Sequence, residues 1–247
     1  MKIDTLSIVI LTNRNDKRFE AAIESAQFAK DILILDNNSN TDWDKLAKKY
    51  IFRVIPHPEK ISQFSQARNK ALTLVQTSWV LFLDSDEVLS ANADIEIKTI
   101  IEENLYDAIS IRRIDYFLGK PLQYGETGNL WLTRLFKTNK GKFVRAVHEV
   151  IESDGKFGVA NFTISHFSHS SVKKFLEKIV KYSYIESKNR TDSHIENIIQ
   201  MCVFPLTKFV LNYGFKLGFL DGYRGLVYAV MMSLHSFFVR VFYYEKL

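Results

Sequence analysis

The feature that most constrains this chain is a set of continuous apolar runs, each of which stops at a polar cluster. Residues 6–11 (LSIVIL) lead into Thr12, Asn13, Arg14 and Asn15, and residues 32–35 (ILIL) lead into Asp36-Asn37-Asn38-Ser39-Asn40. Residues 79–83 (WVLFL) lead into Asp84-Ser85-Asp86-Glu87. Hydrophobicity that is continuous rather than alternating marks strands covered on both faces, as in a parallel sheet between helices. Helix-period segments at about 18–29 and 65–76 fall between the runs, and a short strand is expected at about 52–55, which predicts an α/β fold. In such sheets ligands sit outside the carboxyl ends of the strands, so the three polar clusters open onto one edge.

Between about 105 and 165 the pattern changes to short strands and turns, at 108–112, 119–124, 133–136 and 158–164. After Ser170 it becomes helical, with Val172, Phe175, Leu176, Ile179 and Tyr182 on one face and Lys173, Lys174, Lys178 and Lys181 on the other. The expected division is therefore 1–170 as a catalytic domain and 171–247 as a helical extension. Residues 225–239 carry no charge, but 15 residues fall short of the roughly 18 needed to span a bilayer. An interfacial or partner-packing helix is expected there.

The formal charge of +5 lies wholly in that extension, because residues 1–169 hold 22 basic and 22 acidic side chains. Nucleic-acid binding is not expected, since the extension spaces single cations through apolar stretches instead of clustering them. With Phe and Tyr at 12 of the last 46 positions, the pattern suits an anionic membrane surface. A homo-oligomer built on the same helices stays open. With 47% hydrophobic and 25% charged residues over 247 positions, general disorder is excluded. The single cysteine, Cys202, forms no internal disulfide and is expected to be buried. No secretory leader is evident, so a cytoplasmic location is expected.

The sharpest chemical signal is Asp84-Ser85-Asp86 at the end of an apolar strand. Two carboxylates so close repel one another unless a cation neutralises them, and Mg²⁺ or Mn²⁺ combines one or two carboxylates with phosphate oxygens. A metal-diphosphate site follows, with helix capping by the two aspartates as the structural alternative. An EF-hand fails, because Leu89 and Ile95 stand where Gly and Glu are required. A haloacid-dehalogenase-type phosphatase with Asp84 as nucleophile, and a noncatalytic peripheral membrane scaffold, remain as alternatives.

The strand at 7–13, Asp36-Asn37-Asn38-Ser39, Ala67-Arg68-Asn69-Lys70-Ala71-Leu72 and Asp84-Ser85-Asp86 together resemble the nucleotide-binding half of family 2 glycosyltransferases. Arg134-Leu135-Phe136, Val147-His148-Glu149, residues 166–169 (HFSH) and residues 218–222 (GFLDG) are similar to bacterial lipopolysaccharide-core glucosyltransferases of the WaaE/KdtX type. The resemblance implies a GT-A fold, a Rossmann-like nucleotide-sugar-binding sheet flanked by helices, with the C-terminal helices associated with the membrane. It implies an inverting transfer of a sugar, glucose above all, from a UDP-sugar to a lipid-linked core oligosaccharide at the cytoplasmic membrane face.

Residue by residue, the resemblance implies that Asp36 accepts from uracil, Arg68 holds the nucleotide and Asp84 contacts ribose or metal-bound water. Asp86 ligates Mn²⁺ or Mg²⁺, and His166 completes that site, with His169 as its competitor. Glu149 is the expected base, and His148 orients it or binds acceptor. Trp131 suits the face of a sugar ring and Arg134 an anionic group, both on the acceptor side.

Overall fold

The computed structural model describes residues 2–58, 63–144, 150–169 and 171–245, and of Ser168 and His169 the backbone alone. The parallel part consists of β1 (Ile3–Thr12), β2 (Ala29–Asp36), β3 (Arg53–Pro56) and β4 (Trp79–Asp84) in the order β3-β2-β1-β4. The sheet continues through β8 (Leu130–Lys137), β6 (Ala108–Phe117), β11 (Phe157–His169) and β5 (Glu87–Leu89), and β7 (Lys120–Pro121) pairs with β6. The β4/β8 and β11/β5 pairings are antiparallel. A separate hairpin joins β9 (Lys142–Val144) to β10 (Val150–Glu152).

The continuous apolar runs have a direct cause in the packing. Ile8, Ile10, Ile32, Ile34, Leu81 and Leu83 face a core completed by α1 (Lys17–Ser25) and α4 (Ala93–Glu103) through Phe19, Ala22, Ile23 and Ile97. The alternate residues Val9, Leu11, Leu33, Leu35, Val80 and Phe82 face the other core, with Ala67 and Ala71 of α3 (Phe64–Leu72), Phe136 and Phe143. A short α2 (Trp43–Ala47) follows β2. Helix α1 begins where the Asp16 side chain accepts from the Arg18 and Phe19 backbone N–H groups. Phe82 is fully buried, edge-on to Phe143 at 4.6 Å and stacked on Phe136 at 5.9 Å. Phe82→Ala should cost about 3–5 kcal/mol in a denaturant titration, and a loss below about 1 kcal/mol would show that the ring is not central to this core.

The chain divides into two compact units, Met1–Arg113 with Trp131–His166, and Ile114–Leu130 with Phe167–Leu247. The second unit thus draws in residues 114–130 as well as the helical extension. Its helices are α5 (Val172–Ser187), α6 (His194–Val210) and α7 (Tyr223–Tyr244). A π-helical turn, Leu211–Phe215, prolongs α6, and a 3-10 turn, Gly218–Asp221, precedes α7. Phe117, Leu122, Phe175, Ile179 and Met231 form the core of this unit.

Three expectations change here. In α5 the buried line is Phe175, Ile179, Ser183 and Ser187, spaced by four, whereas Val172, Leu176 and Tyr182 are exposed. Cys202 is exposed, because α6 turns that side away from α7. The uncharged window at 225–239 understated the helix, since Arg224 and Arg240 lie inside α7 and do not end it. Residues His194–Phe215 and Tyr223–Tyr244 are each 22 long and apolar enough to cross a membrane by length and composition. Close approach in this unit demands glycine at Gly225, where a Cβ would overlap the Gly218 carbonyl oxygen.

Candidate active site

The carboxyl ends of the parallel strands set the geometry. In register, Thr12 lies beside Asp36, and Leu11 beside Asp84, so Asp36 and Asp84 stand two strands apart, about 10 Å, on one edge. Asp36 leaves its strand into a turn in which its Oδ1 accepts from the Ser39 N–H at 2.9 Å, and Asn38 and Asn40 adopt left-handed backbone conformations. Thr12 shapes the neighbouring loop: its Oγ1 donates to the Arg14 carbonyl at 2.9 Å and accepts from the Arg14 N–H at 3.1 Å.

Asp84 is gripped by two guanidiniums. Arg68 Nη2 reaches Oδ1 at 2.6 Å, and Arg134 Nη2 reaches Oδ2 at 2.9 Å. Burial opposes its ionisation, but Arg68 and Arg134 outweigh that effect and hold the Asp84 carboxyl well below the usual carboxylate range. The Arg68 side chain is 4% exposed and lies against the rings of Phe143 and Phe82, at 5.3 and 5.9 Å from their centroids. Its Nε and Nη1 are buried without a hydrogen-bond partner among the described residues.

The chain after Asp84 turns directly into β5, so Asp84 and Asp86 do not cap a helix. Asp86 Oδ2 pairs with Arg14 Nη1 at 2.9 Å, and its Oδ1 lies 3.7 Å from His166 Nε2. His166 arrives there because β11 pairs with β5, with His166 opposite Glu87. Glu87 is fully buried; it accepts the Asp84 N–H at 2.9 Å and lies 3.6 Å from Arg134 and 3.7 Å from Arg113. The cluster therefore sets four guanidiniums, of Arg14, Arg68, Arg113 and Arg134, against the carboxylates of Asp84, Asp86 and Glu87. Asp16 adds a fourth carboxylate, 3.6 Å from Arg14 Nε, so the formal charges balance, and it is the forked donors of the four guanidiniums that suit a polyanion such as a diphosphate.

Among the described residues no group of three or more His, Cys, Asp or Glu converges as a metal cage. The donor set still fits Mg²⁺ or Mn²⁺, which binds through one or two protein groups and completes its shell with phosphate oxygens and water. Asp86 and His166 stand at a spacing that permits both to reach one ion.

Asp36, Arg68, Asp84, Asp86 and His166 thus belong to the first unit, four of them in one charge cluster and Asp36 along the same edge. Arg134 joins that cluster, with its side chain 10% exposed. Trp131, in the same strand, is exposed, and an offset of three residues puts the two on opposite strand faces. His148 and Glu149 lie outside the described residues, as does the His169 side chain. Arg14, Glu87 and Arg113 were not singled out from the sequence. Arg14 and Glu87 flank recognisable motifs, whereas nothing local to Arg113 points to the site.

Asn69 ties α3 to the segment before Glu149. Its Nδ2 donates to the Phe143 carbonyl at 2.9 Å, and its Oδ1 accepts the Phe143 N–H at 2.8 Å, as a paired strand would. Asn69→Leu strands both groups of the buried Phe143 and should cost roughly 1–3 kcal/mol, read by thermal or urea unfolding.

The fold is GT-A-like, a central sheet flanked by helices. Residues 7–159 match the model of glycosyl transferase family 2, and the chain belongs to that family. It is 23% identical over 252 residues to an uncharacterized glycosyltransferase of Rickettsia prowazekii (strain Madrid E), covering 94% of this chain and 84% of that one. It is 24% identical over 241 residues to an uncharacterized glycosyltransferase of Rickettsia typhi (strain Wilmington), covering 88% and 80%. Among solved structures, S. aureus TarS 1–349 in complex with UDP aligns with a TM-score of 0.49 at 13% identity, over 100% of this chain and 91% of that one. The same protein in complex with UDP-GlcNAc aligns with a TM-score of 0.45 at 14% identity, over 96% and 81%.

Proposed function

We propose that this glycosyltransferase is inverting and metal-dependent, and moves a sugar, glucose above all, from a UDP-sugar to a lipopolysaccharide or lipooligosaccharide core acceptor. The reaction is placed at the cytoplasmic face of the membrane, with 171–247 as the membrane-associated extension. The observation that carries the reading is the arginine-rich cluster around Asp84 and Asp86, on the same strand-end edge as Asp36. Two strand spacings match the reach from a pyrimidine ring across ribose to a diphosphate. Asp36 accepts from uracil, and Arg68 and Asp84 hold the ribose and diphosphate.

Asp86 and His166 would hold Mg²⁺ or Mn²⁺, which supplies charge neutralisation for the departing UDP. Glu149 takes the acceptor hydroxyl proton as the oxygen bonds the anomeric carbon and the bond to UDP breaks. His148 orients Glu149 or contacts acceptor, and Trp131 offers an exposed aromatic face to a sugar ring. Arg134 is engaged by Asp84 and Glu87, so its role moves from the acceptor to the donor side.

The test is UDP release from a panel of UDP-sugars, with Mn²⁺ or Mg²⁺ and with chelator, in the presence of core oligosaccharide. Metal-stimulated release from one donor, with sugar appearing on the acceptor, is expected. Release from none of them, together with a phosphoryl group trapped on Asp84 by a phosphoester, would replace this reading with that of a phosphatase.

A further inference from the structure

Helix α6 is apolar, yet it is the least covered helix of its unit. Ile195, Ile199, Val203, Leu206 and Val210 follow one another at spacings of four, four, three and four, and all are exposed, Leu206 at 70%. At 100° per residue they fall within an arc of about 80° that holds no charged side chain. The buried Asn197 points the opposite way, its Nδ2 donating to the Arg240 carbonyl at 3.1 Å. The stripe runs into an open apolar groove of about 330 Å³, lined by Leu206, Thr207, Val210, Leu211 and Phe215. Beyond it Phe215 is 79% exposed, and Lys216, Phe219 and Leu220 are exposed as well.

Two basic side chains of this helical layer, Lys208 and Arg240, lie on α6's covered side. Lys208 Nζ pairs with Glu126 Oε1 at 2.8 Å, and the Arg240 guanidinium lies 4.3 Å from the ring centroid of Phe204, midway along α6. A bilayer-spanning α6 would carry those charges to the hydrocarbon centre, where they are costly. A helix lying in the plane of the interface keeps them on the protein side and offers lipid the uncharged stripe alone.

We propose that the outer face of α6, continued by Phe215 and the turn to α7, lies flat on an anionic phospholipid surface. Charge complementarity selects that occupant, because residues 170–247 carry the chain's whole net charge of +5 and Lys216, exposed beside Phe215, puts a cation at the rim of this uncharged face. The inference rests on the reading of 171–247 as the membrane-associated extension. It adds the face that docks, the in-plane orientation, and acyl chains as what the groove receives.

The experiment uses the full chain and vesicles of phosphatidylcholine with or without phosphatidylglycerol. Cys202, the chain's single cysteine, is exposed on this same side of α6 and accepts an environment-sensitive fluorophore. Binding that rises with phosphatidylglycerol, falls with salt and shifts the Cys202 probe toward an apolar signal is expected. The triple variant Ile199→Glu, Leu206→Glu, Val210→Glu changes exposed positions and should retain its circular dichroism while losing vesicle affinity at least roughly tenfold.

Undiminished vesicle binding by that variant would overturn the proposal. So would release of wild-type protein from vesicles by detergent alone, never by salt, which marks a span. A wild-type dimer that ignores vesicles and becomes monomeric in the variant would assign the face to a second copy. UDP-sugar turnover is measured in parallel without vesicles. Turnover without docking overturns only the docking surface, and docking without turnover overturns only the transferase reading.

Discussion

Asp86→Ala should lower transfer by about 10³-fold or more and remove the metal dependence of UDP binding, with the fold intact. Neutralising the leaving diphosphate is worth several kcal/mol in the transition state, and each 1.36 kcal/mol is tenfold in rate. Asp86 is the one carboxylate of its cluster that faces both Arg14 and His166, whereas Asp84 is spent on Arg68 and Arg134. Its removal takes away the carboxylate beside His166 Nε2 and leaves Arg14 paired with Asp16, so residual UDP binding should become metal-independent. Calorimetric titration of UDP with and without Mn²⁺, beside the rate assay, reads both effects. Transfer at the wild-type rate would remove Asp86 from the metal site.

Glu149→Gln should lower kcat by on the order of 10²-fold, with donor KM little changed. The substitution preserves size and hydrogen-bonding capacity but cannot take the acceptor proton, so its effect falls on the chemical step. Loss of the base should also flatten the acid limb of the rate profile against pH, which a simple packing defect would leave in place. A collapse of donor affinity with kcat preserved would make Glu149 a binding residue. Rescue by Glu149→Asp, partial because of the shorter reach, separates the lost carboxylate from lost structure.

The sequence alone determined the parallel half of the sheet and the edge where chemistry gathers. Runs such as 6–11 and 79–83 are apolar without interruption because helices cover both faces, and that requirement is written locally into each run. The polar clusters after Thr12, Asp36 and Asp84 could be assigned to one edge because parallel strands share their direction.

Tertiary structure alone decided which charges meet. Arg134 reaches Asp84 across 50 positions and Arg14 reaches Asp86 across 72, through strand neighbours that no local pattern specifies. The pairing of β11 with β5 sets His166 opposite Glu87, and slipping it by one residue would turn His166 to the other face. Helix α6 makes the same point from the opposite direction. Its composition is that of a buried helix, but whether an apolar face is covered depends on what packs beside it, and here α7 covers only the side that carries Asn197.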